Sequence, residues 1–521
     1  MMEPACIRHT ELPGTSRLFA DFTYHFDRVA RFYRHNPHDG ASLADAVREL
    51  DYPEERRAAM VKALAGQNGP SKSLDRLAQP GTIAVVTGQQ VGLFSGPAYT
   101  IYKALTAVRL AQTLSEQGTP AVPVFWLATE DHDFAEVSHV WSFDYGSHEP
   151  FLLHVDPPAD LNGRQRPVGN IVMERPPVDQ LVRSLAGFTH GEEVAALVRK
   201  AYAPGATFGA GFKALLKDLL GKFGLLFLDP LDLAVRQIGA PLVAEALDAA
   251  PELKARLLER NQELLDAGYH AQVHIEPKTS LFFLLDKGDR VPLRRKDSEF
   301  GDLRDRAAEV SPNALLRPVV QDYLLPTVAY IGGPAELAYL AQSQVIYDRL
   351  LGRMPVMISR SGFTLLETRA STLLDRYHLT LQDILVDQDS LRELVAHTLV
   401  PESVEHAFEH TSAGVGRELE RLKAELERFD HTLAASAEKS RAKVLYQLEK
   451  MRRKIARETL RRNDRATADA AYLTNLLYPH RHLQERFYSI LPFLAKHGLD
   501  LVDQLYEAVR MDCPDHRVLN I

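Results

Sequence analysis

The chain has 521 residues, of which 45% are hydrophobic and 25% charged, with a formal net charge of -8 and a pI near 6.2. These proportions are ordinary for a globular protein of about two to four domains with a large core, and the acidic balance gives no global reason to expect nucleic acid. Only two cysteines occur, Cys6 and Cys513, near opposite termini and outside any CxxC pattern. No disulfide framework or Cys-based zinc site can be read from them. The amino terminus lacks a basic segment followed by an apolar one, and no apolar run approaches the roughly 18 residues that span a bilayer. A soluble, cytoplasmic protein without membrane contact is expected.

Residues 1–17 read as an irregular arm. Leu18, Phe19, Phe22, Phe26, Val29, Phe32 and Tyr33 then make an aromatic stripe at helical spacing, which packs on a core far more often than it forms a stacking platform. An Ala- and Arg-rich helical pair runs to about Leu77. The central stretch follows. Ile83 to Val86 is a buried-strand run that hands over to a turn-rich segment with Gly88, Gly92 and Gly96. Pro97, preceded by Ser95 as a cap, starts a helix in which Ile101, Leu105, Val108 and Ala111 recur at helical spacing. Gly118 to Pro120 stops that helix, and Val122 to Leu127 is the next strand. The product is a βαβ unit whose Gly-rich loop and whose Thr129-Glu130-Asp131-His132-Asp133 cluster share one sheet edge, where open parallel sheets bind ligands.

Beyond that unit, Glu136 stands three residues after Asp133, as in a capping box. Residues 142–181 read as strands and loops inserted into the sheet domain, and Gly224 to Pro230 as another strand. His270 to Ile275 alternates, and Ser280 to Leu285 with Val291 to Arg295 reads as a hairpin with a basic end at Arg290, Arg294, Arg295 and Lys296. That end is either a solvated edge or a lid over an anionic substrate. Leu325 to Ile331, Gly332-Gly333-Pro334 and the helix from Ala335 echo the first unit, so two helix starts should meet at one cleft. Met354 to Ser359 supplies a further strand.

From about Leu365 the pattern is nearly all helix. Leu419, Leu422, Leu426, Phe429, Leu433, Ala437, Ser440, Val444, Leu448, Met451 and Ile455 form a seam averaging 3.6 residues per step, which predicts an almost straight pair of long helices, within a hairpin or a dimer. Residues 438–465 hold eleven Lys or Arg against four Asp or Glu. That patch is a solvated face, a phosphate site or an RNA contact, and no aromatic interleaving speaks for the last.

The predicted architecture is α/β, with a Rossmann-like parallel-sheet core and inserted connecting segments, plus a long helical coiled-coil domain. Boundaries fall at 1–80 for an amino-terminal helical segment, 81–365 for the core with insertions at 142–210 and 266–300, 366–470 for the coiled coil, and 471–521 for terminal helices packing on the core. Candidate binding residues are Thr87, Gly88, Gln89, Gln90, Gly96, Pro97 and Tyr99, whose amides and small side chains suit a phosphate or carboxylate, with Gly332, Gly333 and Glu336 opposite. Lys103, one helical turn from Tyr99, offers a cation. Asp131, His132 and Asp133 suit acid/base work or an amine. Asp131, Asp133 and His139 could instead meet a metal, but spacing alone does not define such a site, and no protein-bound metal is predicted.

Several long segments occur together and in order: VVTGQQVGLFSGPAYTIYKA, PVFWLATEDHDFAEVSHV, FGLLFLDP, SPNALLRPVVQDYLLPTVAYIGGPAELAYLAQ and the late coiled coil. With these the chain resembles the bacillithiol-synthesis cysteine-adding enzyme family, the BshC type. The resemblance implies a Rossmann-like core, a coiled-coil domain, a homodimer through it, and ligation of L-cysteine to the amine of glucosaminyl malate. It further implies ATP or ADP with accompanying Mg2+: the family core resembles class I nucleotidyl transferases, and the family is also known to hold a nucleotide near the coiled coil, away from the sheet edge, where the basic helix of residues 439–465 could take part. This chain holds neither the HIGH nor the KMSKS signature of those enzymes in clean form. On that reading Lys103 stabilises negative charge, Asp131, His132 or Asp133 handles the amine, and Thr87 to Gln90 with Gly96-Pro97 hold phosphate or malyl carboxylate. The competing class is a non-catalytic nucleotide-binding or regulatory scaffold.

Overall fold

The computed structural model describes residues 6–161, 163–276, 279–293 and 301–521. Arg294, Arg295 and Lys296, the basic end predicted for the hairpin, lie outside them. The chain divides into two compact units. One comprises Met1–Tyr145, Pro150–Thr364 and Glu485–Leu519, the other Gly146–Glu149, Leu365–Gln484 and Asn520–Ile521.

The first unit is built on a five-stranded sheet. Its strands are β1 (Ile83–Gln89), β2 (Ala121–Leu127), β3 (Leu226–Leu228), β4 (Thr327–Gly332) and β5 (Val356–Ser359), in the spatial order β5-β4-β1-β2-β3, all parallel. Their near-continuous apolar runs follow from burial on both faces. Ala84, Val86, Val122, Val124 and Trp126 enter one core, while Ile83, Val85 and Ala121 enter another with Ala107, Leu110 and Ala111. Each buried Val, Ile or Leu among them stabilises the fold by about 1.5–3 kcal/mol, and each Ala by less. Helix α1 (Tyr99–Glu116) connects β1 to β2, and helix α2 (Pro334–Leu350) connects β4 to β5. From β1 the sheet therefore grows one way through β2 and β3 and the other way through β4 and β5. The carboxyl ends of β1 and β4 form a topological switch point, where such sheets open a crevice.

Several local expectations change. The aromatic stripe is a helix only over Arg17–Tyr24, followed by two 3-10 turns, and its side chains pack into the core. Strand β1 runs on through Gly88 and Gln89, which pair with Trp126 and Leu127, so the loop starts later than its glycines suggest. Ser95 does not cap α1: it sits at φ +73°, and the helix begins at Tyr99 without a side-chain cap. His270 to Ile275 forms no strand. The hairpin is Phe282–Asp286 with Asp289–Pro292, and Val310–Pro312 adds a third antiparallel strand.

In the second unit, α3 (Glu402–Phe429) and α4 (His431–Arg461) form a helical hairpin. Cross-pairs Arg452–Glu405 and Lys423–Glu438 fix its antiparallel register. The predicted seam is not one straight line: it reverses at Asp430, which leaves helical geometry and whose carboxylate caps α4 by accepting from the Thr432 N–H. Within the basic stretch Arg441, Arg457 and Arg461 pair with Glu438, Glu393 and Glu458.

Candidate functional site

A cavity of about 530 Å³ opens at the switch point. Gly88, Gln89 and Gln90 at the end of β1, Ala128 to Asp131 after β2, and Gly333 to Glu336 at the start of α2 reach it, as do Phe283 and Arg290 of the hairpin, Arg317, Arg360 and Arg486.

Lys103 lines the cavity and is fully buried. Its ammonium donates to the Gly88 carbonyl, to Gln89 Oε1 at 3.1 Å and to Glu336 Oε2 at 2.6 Å. An ammonium has three donors, and all are spent. Lys103 thus ties the end of β1 to the start of α2 across the switch point. Burial pulls its pKa down, against the opposing pull of Glu336. Glu336 also accepts from the Gly333 N–H at 2.9 Å and the Tyr330 hydroxyl at 2.7 Å. Burial alone would raise the Glu336 carboxyl, but Lys103 and these donors hold it below the usual range.

The other candidates separate. Gln89 donates to the Tyr99 hydroxyl at 3.1 Å, and Gln90 to Asp131. Asp131 lines the cavity beside Glu136. His132 does not reach it: its Nδ1 accepts from Arg290 at 2.9 Å, and burial and then Arg290 depress its pKa. Asp133 is exposed and caps the short helix Phe134–Val137 through the Glu136 N–H at 3.1 Å. Thr87 is fully buried and donates to the Ile331 carbonyl at 2.9 Å, joining β1 to β4. Gly96 and Pro97 lie away from the cavity, and the Ala98 N–H beside them donates to the Tyr488 carbonyl at 2.8 Å. Gly332 accepts from the Arg360 N–H at 2.9 Å, which leaves Gly333 to line the opening. The expected pair of helix starts is therefore one, that of α2. His139 binds the Ala135 carbonyl through Nδ1, and among the described residues no group of three or more His, Cys, Asp or Glu is placed to hold a metal.

Four residues absent from the predicted set complete the walls. Arg317 donates to the Tyr339 hydroxyl at 3.0 Å and to Gln321 at 3.2 Å, both neutral, and exposed Arg486 makes no ion pair among the described residues. Arg360 is matched by Glu485 in a two-pronged pair at 2.9 and 2.5 Å, which holds Glu485 at about 2 despite its burial. Glu136 is an exposed residue with its carboxyl turned to the cavity wall; partial desolvation there first, and then Asp131 and Asp133, push that carboxyl up to about 7. Glu130 is drawn off instead to Arg236 and Ser311. The cavity thus has unspent positive charge at Arg317 and Arg486 and clustered carboxyls at Asp131 and Glu136.

A parallel sheet with a charged crevice at its switch point defines a Rossmann-like α/β protein. Sequence comparison narrows the class. Residues 2–361 match the family model described as "Bacillithiol biosynthesis BshC, N-terminal Rossmann-like domain" and residues 363–521 its "C-terminal coiled-coil domain". A protein of Solibacter usitatus named "Putative cysteine ligase BshC" is 52% identical over 99% of this chain and 100% of its own length. Proteins of the same name from Koribacter versatilis and Salinibacter ruber are 37% identical, over all of both chains, and 34% identical, over 97% of this chain and 96% of theirs. The chain belongs to the BshC family of bacillithiol biosynthesis.

Proposed function

We propose that this cavity forms an amide, adding L-cysteine to the amine of glucosaminyl malate in the last step of bacillithiol synthesis, with nucleotide-dependent activation of the carboxylate. The observation that carries the reading is that one cavity holds both cations without a carboxylate partner, Arg317 and Arg486, and acidic groups, Glu136 and the Arg290-paired Asp131, which suits an anionic acyl partner and an amine. The names of the relatives support the same reaction class.

Arg317 and Arg486 are cations without carboxylate partners, and they suit the phosphates of ATP or ADP with its Mg2+. A nucleotide bound there supplies the free energy that makes a carboxylate an acyl donor. The protein's own part follows from its groups. Asp131, held by Gln90, attracts the amine as an ammonium. Glu136, with a pKa of about 7, removes a proton at neutral pH, so the nitrogen presents a lone pair to the carbonyl carbon. As the C–N bond forms the nitrogen passes its second proton to the departing group or to solvent, Glu136 being already protonated, and Arg317 and Arg486 would stabilise the charge on that departing group. The Lys103–Glu336 tie keeps the two strand ends at fixed separation, which is what orientation of two substrates requires. A homodimer through the coiled coil belongs to the same proposal, supported by the exposed Leu422, Phe429, Leu433, Tyr446 and Met451.

Calorimetric titration tests the assignment of the walls. Arg317→Gln should weaken glucosaminyl malate or ATP binding by about 10- to 100-fold, the equivalent of losing a hydrogen bond to a charged group, while Asp133→Asn leaves both unchanged. Equal binding by Arg317→Gln and parent would remove the cavity from the reaction.

A further inference from the structure

Cys6 and Cys513 are 507 positions apart, yet the fold brings them together. The strand pair Cys6–Ile7 and His516–Asn520 is antiparallel, with Cys6 opposite Arg517 and Ile7 opposite His516. Two further bonds fasten the segment between Cys513 and that strand. His9 Nε2 meets the Pro514 carbonyl at 2.9 Å, and the Tyr24 hydroxyl donates to Asp515 Oδ1 at 2.6 Å. Between these ties the thiol of Cys6 has that of Cys513 as a neighbour. Cys6 is exposed and Cys513 half-buried, so both are within reach of small solutes.

We propose that Cys6 and Cys513 are a reversible disulfide clasp between the two ends of the chain, closed by exchange with low-molecular-weight disulfides. The chemistry balances in two exchanges. One cysteine thiolate attacks a sulfur of the small disulfide, forms a mixed disulfide and displaces the first small thiolate. The second cysteine loses its proton to solvent and attacks the protein-side sulfur. That step forms the Cys6–Cys513 bond and displaces the second small thiolate, which takes up a proton. The two protein sulfurs lose two electrons and the small disulfide gains them. Closure brings the two neighbouring sulfurs to about 2.05 Å. Burial and then the neighbouring Cys513 raise the Cys6 pKa, so closure should quicken as pH rises from 7 to 9. Nothing in this proposal depends on the ligase reading.

The full-length reduced protein is treated with bis(2-hydroxyethyl) disulfide at pH 8.5, then analysed by intact mass, thiol counting and non-reducing peptide mapping. The expected product is monomeric with respect to covalent links, lighter by two hydrogens and without titratable thiols, and one peptide pair joins residues 6 and 513. Dithiothreitol restores the starting mass. The oxidised form should melt at least about 3 °C higher, because a cross-link closing so long a loop restricts the unfolded chain. Cys6→Ser and Cys513→Ser should each end as a one-to-one mixed disulfide. A parent protein that ends with a reagent moiety on each cysteine, forms disulfide-linked dimers, or retains both thiols under excess reagent would overturn the proposal.

Discussion

Replacing Lys103 with methionine tests the tie at the switch point. Methionine keeps an unbranched apolar side chain but removes a fully buried cation, leaving Glu336 with only the Gly333 N–H and the Tyr330 hydroxyl. Breaking a buried pair by removing one partner costs about 3–5 kcal/mol. The Gly88 carbonyl and Gln89 Oε1 each also lose a donor, and about 4 kcal/mol at pH 7 is a fair expectation. The pH dependence distinguishes this from simple mispacking. In the parent the Glu336 pKa is depressed, so it contributes stability above the unfolded value near 4.5 and loses it as pH falls. In Lys103→Met burial prevails, the pKa rises, and stability is lost as pH increases through the new value. Both effects make the deficit grow with pH. Urea unfolding at pH 4.5, 6 and 8 should show the gap widening, and Lys103→Met/Glu336→Gln should recover most of it. A deficit below about 1 kcal/mol, or one that is the same at all three pH values, would refute the role given to this pair.

Other outcomes follow from single groups. Glu136 acts as a base only when ionised, so kcat/KM should rise with pH through an apparent pKa near 7. Glu136→Gln should lose that limb along with about 10²- to 10⁴-fold in rate, whereas a pH profile unchanged in shape would exclude it. Burial drives the His516 pKa down to about 4, so the folded state resists a proton that the unfolded chain accepts near 6.5. Stability should fall by up to about 3 kcal/mol between pH 6.5 and 4, and urea unfolding of His516→Gln should lack that part of the decline. A Cβ on Gly88 would stand 3.0 Å from the Trp126 carbonyl, a backbone atom of the adjacent strand that cannot yield. Gly88→Ala should therefore cost about 1–3 kcal/mol in thermal or urea unfolding, and a neutral result would show that the strand ends are slack.

The βαβ unit was legible because its apolar runs act locally: Ile83 to Val86, the helical spacing of Ile101, Leu105, Val108 and Ala111, and Val122 to Leu127 each report their own surroundings, whereas Pro97 falls two residues before the helix it was expected to start. The switch point was half legible, since Gly333 to Glu336 repeats a local motif while strand order depends on which strands pair. Arg317, Arg360 and Arg486 were not marked as site residues because each comes from a different, distant element, and an isolated arginine has no periodic signature. Glu136 stands three residues after Asp133 as a capping box requires, but only the Asp133 half of the box forms, and the desolvation and neighbouring carboxyls that shift its proton depend on the folded surroundings. Asp133 and Thr87 look chemical in one dimension and prove to be a cap and a strand tie. A hairpin was one of the expected arrangements, but the position of its reversal, Asp430, escaped because an aspartate cap without Gly or Pro leaves the 3.6-residue rhythm unbroken on both sides. The meeting of Cys6 with Cys513 depends wholly on the pairing of terminal strands.

The central claim is that the crevice between β1 and β4 joins cysteine to an amine. The direct measurement is incubation of the purified chain with cysteine, glucosaminyl malate, ATP and Mg2+, with the thiol product quantified by mass and the nucleotide products in parallel. The account predicts the cysteinyl amide in one-to-one ratio with hydrolysed ATP, and its loss in Glu136→Gln that remains folded. A folded parent protein that makes no amide while binding the nucleotide would contradict the account and favour a scaffold.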